Sequence, residues 1–183
     1  TNPLLKESTA PHGTPLFEEI KLEHYIPAFD YALKQARKEI DAIIDNKEAP
    51  TFENTIVALE RSGADVTNIA TIFFALNAAE TSDEMDAVAA EVQSRLVTYS
   101  NDINLNPKLF ERVKTVYENK GDYTLDDEGK MLLEETYKGF VRSGAGLDDA
   151  QKEQYRAYSE ELSQLTLKFG QNVLAATNAF TVN

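Results

Sequence analysis

The stretch IPAFDYALKQARKEIDAII, residues 26–44, places Ile26, Phe29, Leu33, Ala36, Ile40 and Ile43 at alternating steps of three and four. That spacing lines one buried face of a helix and cannot line one face of a strand, whose period is two. It predicts a helix from about 22 to 45. Pro27 falls in its first turn, where a missing amide costs little, and NKEAP at 46–50 ends it.

The same period runs outward along the chain. Thr51 follows Pro50 as an N-cap, and Phe52, Ile56, Leu59, Val66, Ile69, Phe73 and Leu76 stay in phase through Gly63. A glycine inside a helix costs about 1 kcal/mol relative to alanine. The helix is therefore expected to bend at Gly63, or a neighbour to pack against its backbone there. TSDE at 81–84 has the form of a capping box, Thr81 with Glu84, ahead of a third helix burying Met85, Val88, Val92, Leu96 and Tyr99. Asn106 and Pro107 open a fourth, which Gly121 ends. A fifth begins near Thr124, with Leu132, Leu133, Thr136, Tyr137 and Phe140 inward, and RSGAG at 142–146 breaks it. Asp148 caps a sixth, with Gln151 three positions on.

The sixth helix carries Tyr155, Tyr158, Leu162, Leu165, Phe169, Val173, Ala176 and Phe180 on one stripe. At about 30 residues it exceeds the usual globular length, and Gly170 in its interior argues against a strict coiled coil. The closing stretch, LTLKFGQNVLAATNAFTVN, reads as a helix that has not finished. At the other end, residues 1–20 carry three prolines and one glycine. They predict an extended arm anchored by Leu16, Phe17 and Ile20. The fold expected is all-α: about six helices in an antiparallel bundle-like array, with a long C-terminal helix and an extended N-terminal arm. The arm is 1–20 and the helical domain 21–183.

The 183 residues are 42% hydrophobic and 27% charged, ordinary for a globular chain. With 18 basic and 31 acidic residues the formal charge is −13, which disfavours phosphate backbones and anionic lipid surfaces as partners. No nucleic acid and no membrane partner is expected. Cysteine is absent, which excludes disulfides, thiolate metal sites and a cysteine nucleophile. No apolar run approaches the roughly 18 residues of a membrane span. No leader is visible, and the chain starts at Thr1 rather than Met, which is read as a truncation by processing or cloning.

The residues that carry chemistry elsewhere form no recognisable site in this sequence. The two histidines, His12 in HGTPL and His24 in HYIPA, lack the HExxH spacing of a zinc site and are expected to be surface or capping groups. DYTLDDEG at 122–129 is acidic but lacks the alternating ligands and central glycine of a calcium loop. No glycine-rich phosphate loop and no GxSxG elbow occurs. The tyrosines fall on or beside apolar stripes, as packing residues. No catalytic, cofactor-binding or metal residue is assigned.

Three stretches in combination do carry a resemblance: PTFENTIVALERSG at 50–63, FFALNAAETSDEM at 73–85, and FVRSGAGLDDAQKEQYRAYSEELSQLTLKFGQNVLAATNAF at 140–180. The opening FEEIKLEHYIPAFDYALKQARKEIDAI, residues 17–43, fits it too. The chain resembles the N-terminal helical part of the thimet-oligopeptidase-type zinc metallopeptidases, especially bacterial peptidyl-dipeptidases (dipeptidyl carboxypeptidases) and oligopeptidase A. The resemblance implies a much longer parent. Its zinc and HExxH lie in a C-terminal catalytic domain, where a zinc-bound water activated by the HExxH glutamate attacks the peptide carbonyl. Its N-terminal helices wall a channel that admits short peptides and excludes folded proteins. No zinc is expected in this fragment, and the fragment alone is expected to be inactive. Its partners would be the missing catalytic domain and, in the parent, peptide substrates. The unfinished stripe is expected to continue toward that domain, or to self-associate in its absence, with Val173 and Phe180 less protected than Leu162 and Leu165. The resemblance implies a cytoplasmic location. The start without Met leaves periplasm or cell envelope open. The rival reading is a stand-alone helical protein-interaction module.

Overall fold

The computed structural model describes residues 2–181, and Thr1, Val182 and Asn183 lie outside the described residues. These form helices and turns with no strand among them: α1 (Tyr25–Ile44), a π-helical segment (Phe52–Val57) running into α2 (Ala58–Arg61), α3 (Ala64–Ala79), α4 (Asp83–Asn104), α5 (Pro107–Glu118), α6 (Asp127–Arg142) and α7 (Asp149–Ala179). The fold is all-α, as expected.

The apolar face of α1 serves two cores. Its N-terminal half sends Tyr25, Ala28, Phe29 and Ala32 against Val66, Ile69 and Phe73 of α3 and Ala89 and Val92 of α4. Its C-terminal half sends Ile40 and Ile43 against the π segment, α5 and α6, through Phe52, Ile56, Leu109, Val113, Leu133 and Phe140. Each large side chain taken fully out of water contributes about 1.5–3 kcal/mol, so this one face ties most of the fold together. In the first core the Phe73 ring meets Tyr25 edge-on at 4.8 Å and Phe29 at 6.3 Å. Between α5 and α6, Tyr117 and Tyr137 stack at 3.9 Å.

Four expectations are corrected in detail. The second helix is not continuous: α2 ends at Arg61, Ser62 is extended, and Gly63 takes φ +70° before α3 begins. The apolar period carries across because the break inserts a single tight turn. It leaves α2 as a four-residue piece beside the six longer α-helices. The cap of α4 is Ser82, whose hydroxyl accepts from the Met85 amide at 3.2 Å. Thr81 instead donates to Asp86 at 2.7 Å. The Glu84 carboxyl is held below its usual range by its own backbone amide and then by Ser82. α6 starts at Asp127 rather than near Thr124, because Asp126 accepts from the Gly129 amide at 2.8 Å.

The fourth correction concerns the arm. It is a succession of short 3-10 turns (Pro3–Leu5, Pro11–Gly13, Phe17–Glu19, Leu22–His24), and its anchor is Leu4. Asn2 explains why. Its side-chain carbonyl oxygen accepts from the Leu4 amide at 3.0 Å and its side-chain amide donates to the His24 carbonyl at 2.7 Å, which seats Leu4 in the first core. Leu16 and Phe17 are exposed, while Ile20 packs partly on that core.

The Tyr25 hydroxyl is buried with no hydrogen-bond partner, and burial pushes its pKa up. An unsatisfied buried hydroxyl costs about 1–3 kcal/mol, so Tyr25→Phe is expected to leave the protein as stable as before or more stable. The sign of the pH effect follows from the raised pKa. The folded state keeps the phenolic proton longer than the unfolded state, so this group's contribution is complete below the unfolded pKa of about 10 and is lost as pH rises above it. Tyr99, raised by burial and then by Glu39, acts in the same direction. Urea melts at neutral pH and above about pH 10 should show Tyr25→Phe flattening the alkaline loss. A steeper loss in the variant would contradict the assignment.

Candidate functional site

Of the residues weighed as chemical candidates, His24 and the acidic stretch make local capping and ion-pair contacts, and His12 is an exposed arm residue. His24 lies at the end of the turn before α1, where its Nδ1 accepts from the Lys21 amide at 3.0 Å, so it is a capping group. His12 sits in the arm at φ 61°, exposed. The acidic stretch at 122–129 is a helix start, with Asp126 as the cap and Asp127 paired to Lys130 at 3.1 Å. Among the described residues no group of three or more His, Asp or Glu could hold a metal ion. The donor set that zinc requires is therefore not assembled by these residues.

What the structure does display is a helix with its apolar side outward. α7 packs chiefly on α4. The face it turns there is largely polar: Ser159 accepts from the buried Asn101 at 2.7 Å, and Gln164 donates to the Ala90 carbonyl at 3.3 Å. Arg156 pairs with Asp102 at 2.9 Å, and Asp102 also takes Arg37 of α1 at 2.6 Å. Of the apolar residues on α7, Leu167 reaches the first core. The stripe of Tyr158, Leu162, Leu165, Phe169, Val173 and Phe180 is exposed along its length. It spans about 33 Å at the helical rise of roughly 1.5 Å per residue.

This overturns the expected gradient. Leu162 is 64% exposed and Leu165 59%, against 48% for Val173; Phe180 is exposed as expected, but protection does not decline steadily toward the chain's end. The cause is rotational. The partly buried face is carried by Tyr155, Ser159, Ser163 and Leu167, an i, i+4 series displaced from the apolar one, so Tyr155 leaves the stripe on which its spacing had placed it. Small Ser159 and Ser163 allow close approach, and Asn101 and Asp102 supply partners; that pattern of small and polar residues was the signal available in the sequence. Leu162→Ser is accordingly expected to change stability in a urea melt by less than about 0.5 kcal/mol, and Phe169→Ser likewise. A loss of about 2 kcal/mol or more at either position, the scale of a core residue, would contradict the outward orientation.

Comparison with known proteins accounts for the architecture. The model of the neurolysin/thimet oligopeptidase N-terminal domain matches residues 29–152. The chain belongs to this family. Two bacterial relatives are dipeptidyl carboxypeptidases. That of Salmonella typhimurium is 41% identical over 98% of this chain, and that of Escherichia coli 40% identical over 97%. Oligopeptidase A of Escherichia coli is 26% identical over 99% of it. In each case this chain spans only 26% of the relative's length. Among the described residues no helix is long and apolar enough to cross a membrane.

Proposed function

We propose that this chain is the non-catalytic N-terminal portion of a peptidyl-dipeptidase that cleaves short peptides, and that its helices wall the substrate channel and restrict access to it. The observation that carries the reading is the 41% identity to a dipeptidyl carboxypeptidase across 98% of the chain. Its greater likeness to the dipeptidyl carboxypeptidases than to oligopeptidase A favours release of dipeptides over general oligopeptide cleavage. The two packed cores along α1 support a scaffolding role, since a steric filter must hold its shape. Zinc, by the same reading, belongs to the part of the protein beyond this chain. The reading carries a cytoplasmic location with it, and the periplasm as the second compartment.

The test extends the chain to the length of its relatives using its own reading frame. The extended protein should release dipeptides from the C-terminal end of an N-blocked short peptide and spare a folded protein of the same sequence content. The 183-residue chain should do neither. A frame that closes near residue 183 would instead favour the stand-alone interaction module. Processive cleavage of folded substrates would remove the channel role.

A further inference from the structure

In a chain with 31 acidic and 18 basic residues, one surface groove reverses the balance. It lies between α1 and α4, has a volume of about 570 Å³, and is lined by Lys34, Arg37, Lys38 and Arg95 against two carboxylates, Asp30 and Asp41. Buried Leu33 lies beneath them. The two guanidiniums are held in place: Arg95 pairs with Asp30 at 2.9 Å and Arg37 with Asp102 at 2.6 Å, which ties α1 to α4 on either side of Lys34. A guanidinium carries several N–H donors, and these contacts leave some of them free. The lysines are less committed. Lys38 reaches the Gln35 side chain at 3.2 Å, and among the described ion pairs neither Lys34 nor Lys38 has a carboxylate partner. On the α4 side Ser94 and Thr98 line the groove, and among the described residues their hydroxyls make no hydrogen bond. The hydroxyls of Thr71, Thr115 and Thr177, by contrast, donate to the carbonyl four positions back.

We propose that this groove binds acidic segments of peptide, so that the protein takes peptides bearing glutamate or aspartate in preference to neutral ones. The spacing of the donors favours a peptide. Lys34 and Lys38 are one helical turn apart, about 6 Å at the rise of roughly 1.5 Å per residue, and Ser94 and Thr98 repeat that step on α4. Carboxylates on alternate residues of an extended peptide stand on one side of it, about 6.5–7 Å apart, so two of them meet both ammoniums at once. Asp41, three positions beyond Lys38, bounds the site at that end, because a further carboxylate there meets like charge. The acidity of the whole chain opposes long polyanions, whereas the groove's cations act at contact range, inside a Debye length of about 8 Å. That combination suits a pair of carboxylates rather than nucleic acid. The proposal rests on the proposed function in taking the anion to be that of a peptide.

Two peptides blocked at both ends test it: Ala-Glu-Ala-Glu-Ala and its uncharged isostere Ala-Gln-Ala-Gln-Ala, each carrying a neutral fluorophore. Each is titrated with the 183-residue chain at low salt and followed by anisotropy. The glutamate peptide should bind about tenfold more tightly than the glutamine one, and salt at about 1 M should erase the difference. Lys34→Gln combined with Lys38→Gln should remove the preference, and Lys34→Arg combined with Lys38→Arg should keep it. Both lysines are exposed, so the melting curves of these variants should coincide with that of the parent chain. Equal binding of the two peptides would overturn the proposal, as would a preference that survives the paired glutamine substitutions. So would inorganic triphosphate displacing the glutamate peptide at lower concentration than the unlabelled peptide does, which would make the groove a phosphate site. Dipeptide release by the extended protein is read separately, on the same two sequences with a free carboxyl end. KM should be lower for the glutamate peptide and rise in the paired glutamine variant, with kcat unchanged. Selective binding without dipeptide release sinks the function and leaves the groove standing as a peptide site. Release with no preference between the peptides does the reverse.

Discussion

Gly63→Leu should unfold the first core's edge, at a cost of roughly 2–5 kcal/mol. Two terms add. The residue holds φ +70°, a left-handed conformation that costs a residue with a Cβ about 1–2 kcal/mol. A Cβ there would also sit 3.2 Å from the Tyr99 hydroxyl and 3.7 Å from Ala36, and a leucine must push both away, an overpacking cost of about 1–3 kcal/mol. The amide of Gly63 donates to Glu39 at 2.8 Å, so the turn cannot relax without giving up that bond. Gly63→Ala carries the first term with only the Cβ's close approach to the Tyr99 hydroxyl, and should cost about 1–2 kcal/mol. A stabilised alanine variant would mean that the glycine is merely a weak helix former, the outcome expected of a straight helix. Thermal melts of the two variants separate these cases.

Arg112→Met should cost about 2–4 kcal/mol by the same measurement. Arg112 is buried, and no carboxylate pairs with it among the described ion pairs. Its guanidinium donates instead to the carbonyls of Asn46 at 3.1 Å and Glu48 at 3.3 Å, and to the Asn54 side chain at 3.1 Å. Those acceptors lie on the connection between α1 and the π segment. Asn54 there also accepts from the Thr51 amide at 2.8 Å and donates to the Ala49 carbonyl at 3.0 Å. A methionine fills the space but leaves the Asn46 and Glu48 carbonyls without this donor, while Asn54 keeps the Thr51 amide; each bond to a charged group is worth about 1.5–3 kcal/mol before solvent recovers part of it. The variant should also open residues 46–54 to protease before the rest of the chain. A loss under about 0.5 kcal/mol with no change in that segment would show that the loop holds itself.

These two positions mark what could and could not be read from the sequence. The stripe of α1, the Asn106–Pro107 start of α5 and the Asp148–Gln151 box of α7 were legible because each is a local pattern with a local cause. Arg112 was not, since its partners are 58 to 66 positions away and any surface helix carries arginines. Gly63 announced an irregularity without its form; only the packing of α1 and Tyr99 against it determines a full break. For α7 the length and the apolar stripe are as the sequence implies, but Leu162 and Leu165, expected to be the protected end of the stripe, face outward with the rest of it. Periodicity identifies faces, and Asn101, Asp102 and the small serines choose which face turns to α4. The histidines and the acidic stretch, the nearest the sequence comes to a chemical site, serve as caps, ion pairs and exposed arm residues.

On the proposed reading these 183 residues supply architecture, and the chemistry belongs to the part of the protein beyond them. The most direct test is the melting temperature of the purified chain with and without one equivalent of zinc, read beside cleavage of a short peptide. A structural zinc site adds on the order of 10 kcal/mol to folding, so occupancy could not pass unnoticed. The melting temperature should stay where it is and the peptide should remain intact. A zinc-dependent rise of many degrees, accompanied by chelator-sensitive cleavage, would place a working metal site inside this chain and overturn its assignment as scaffold.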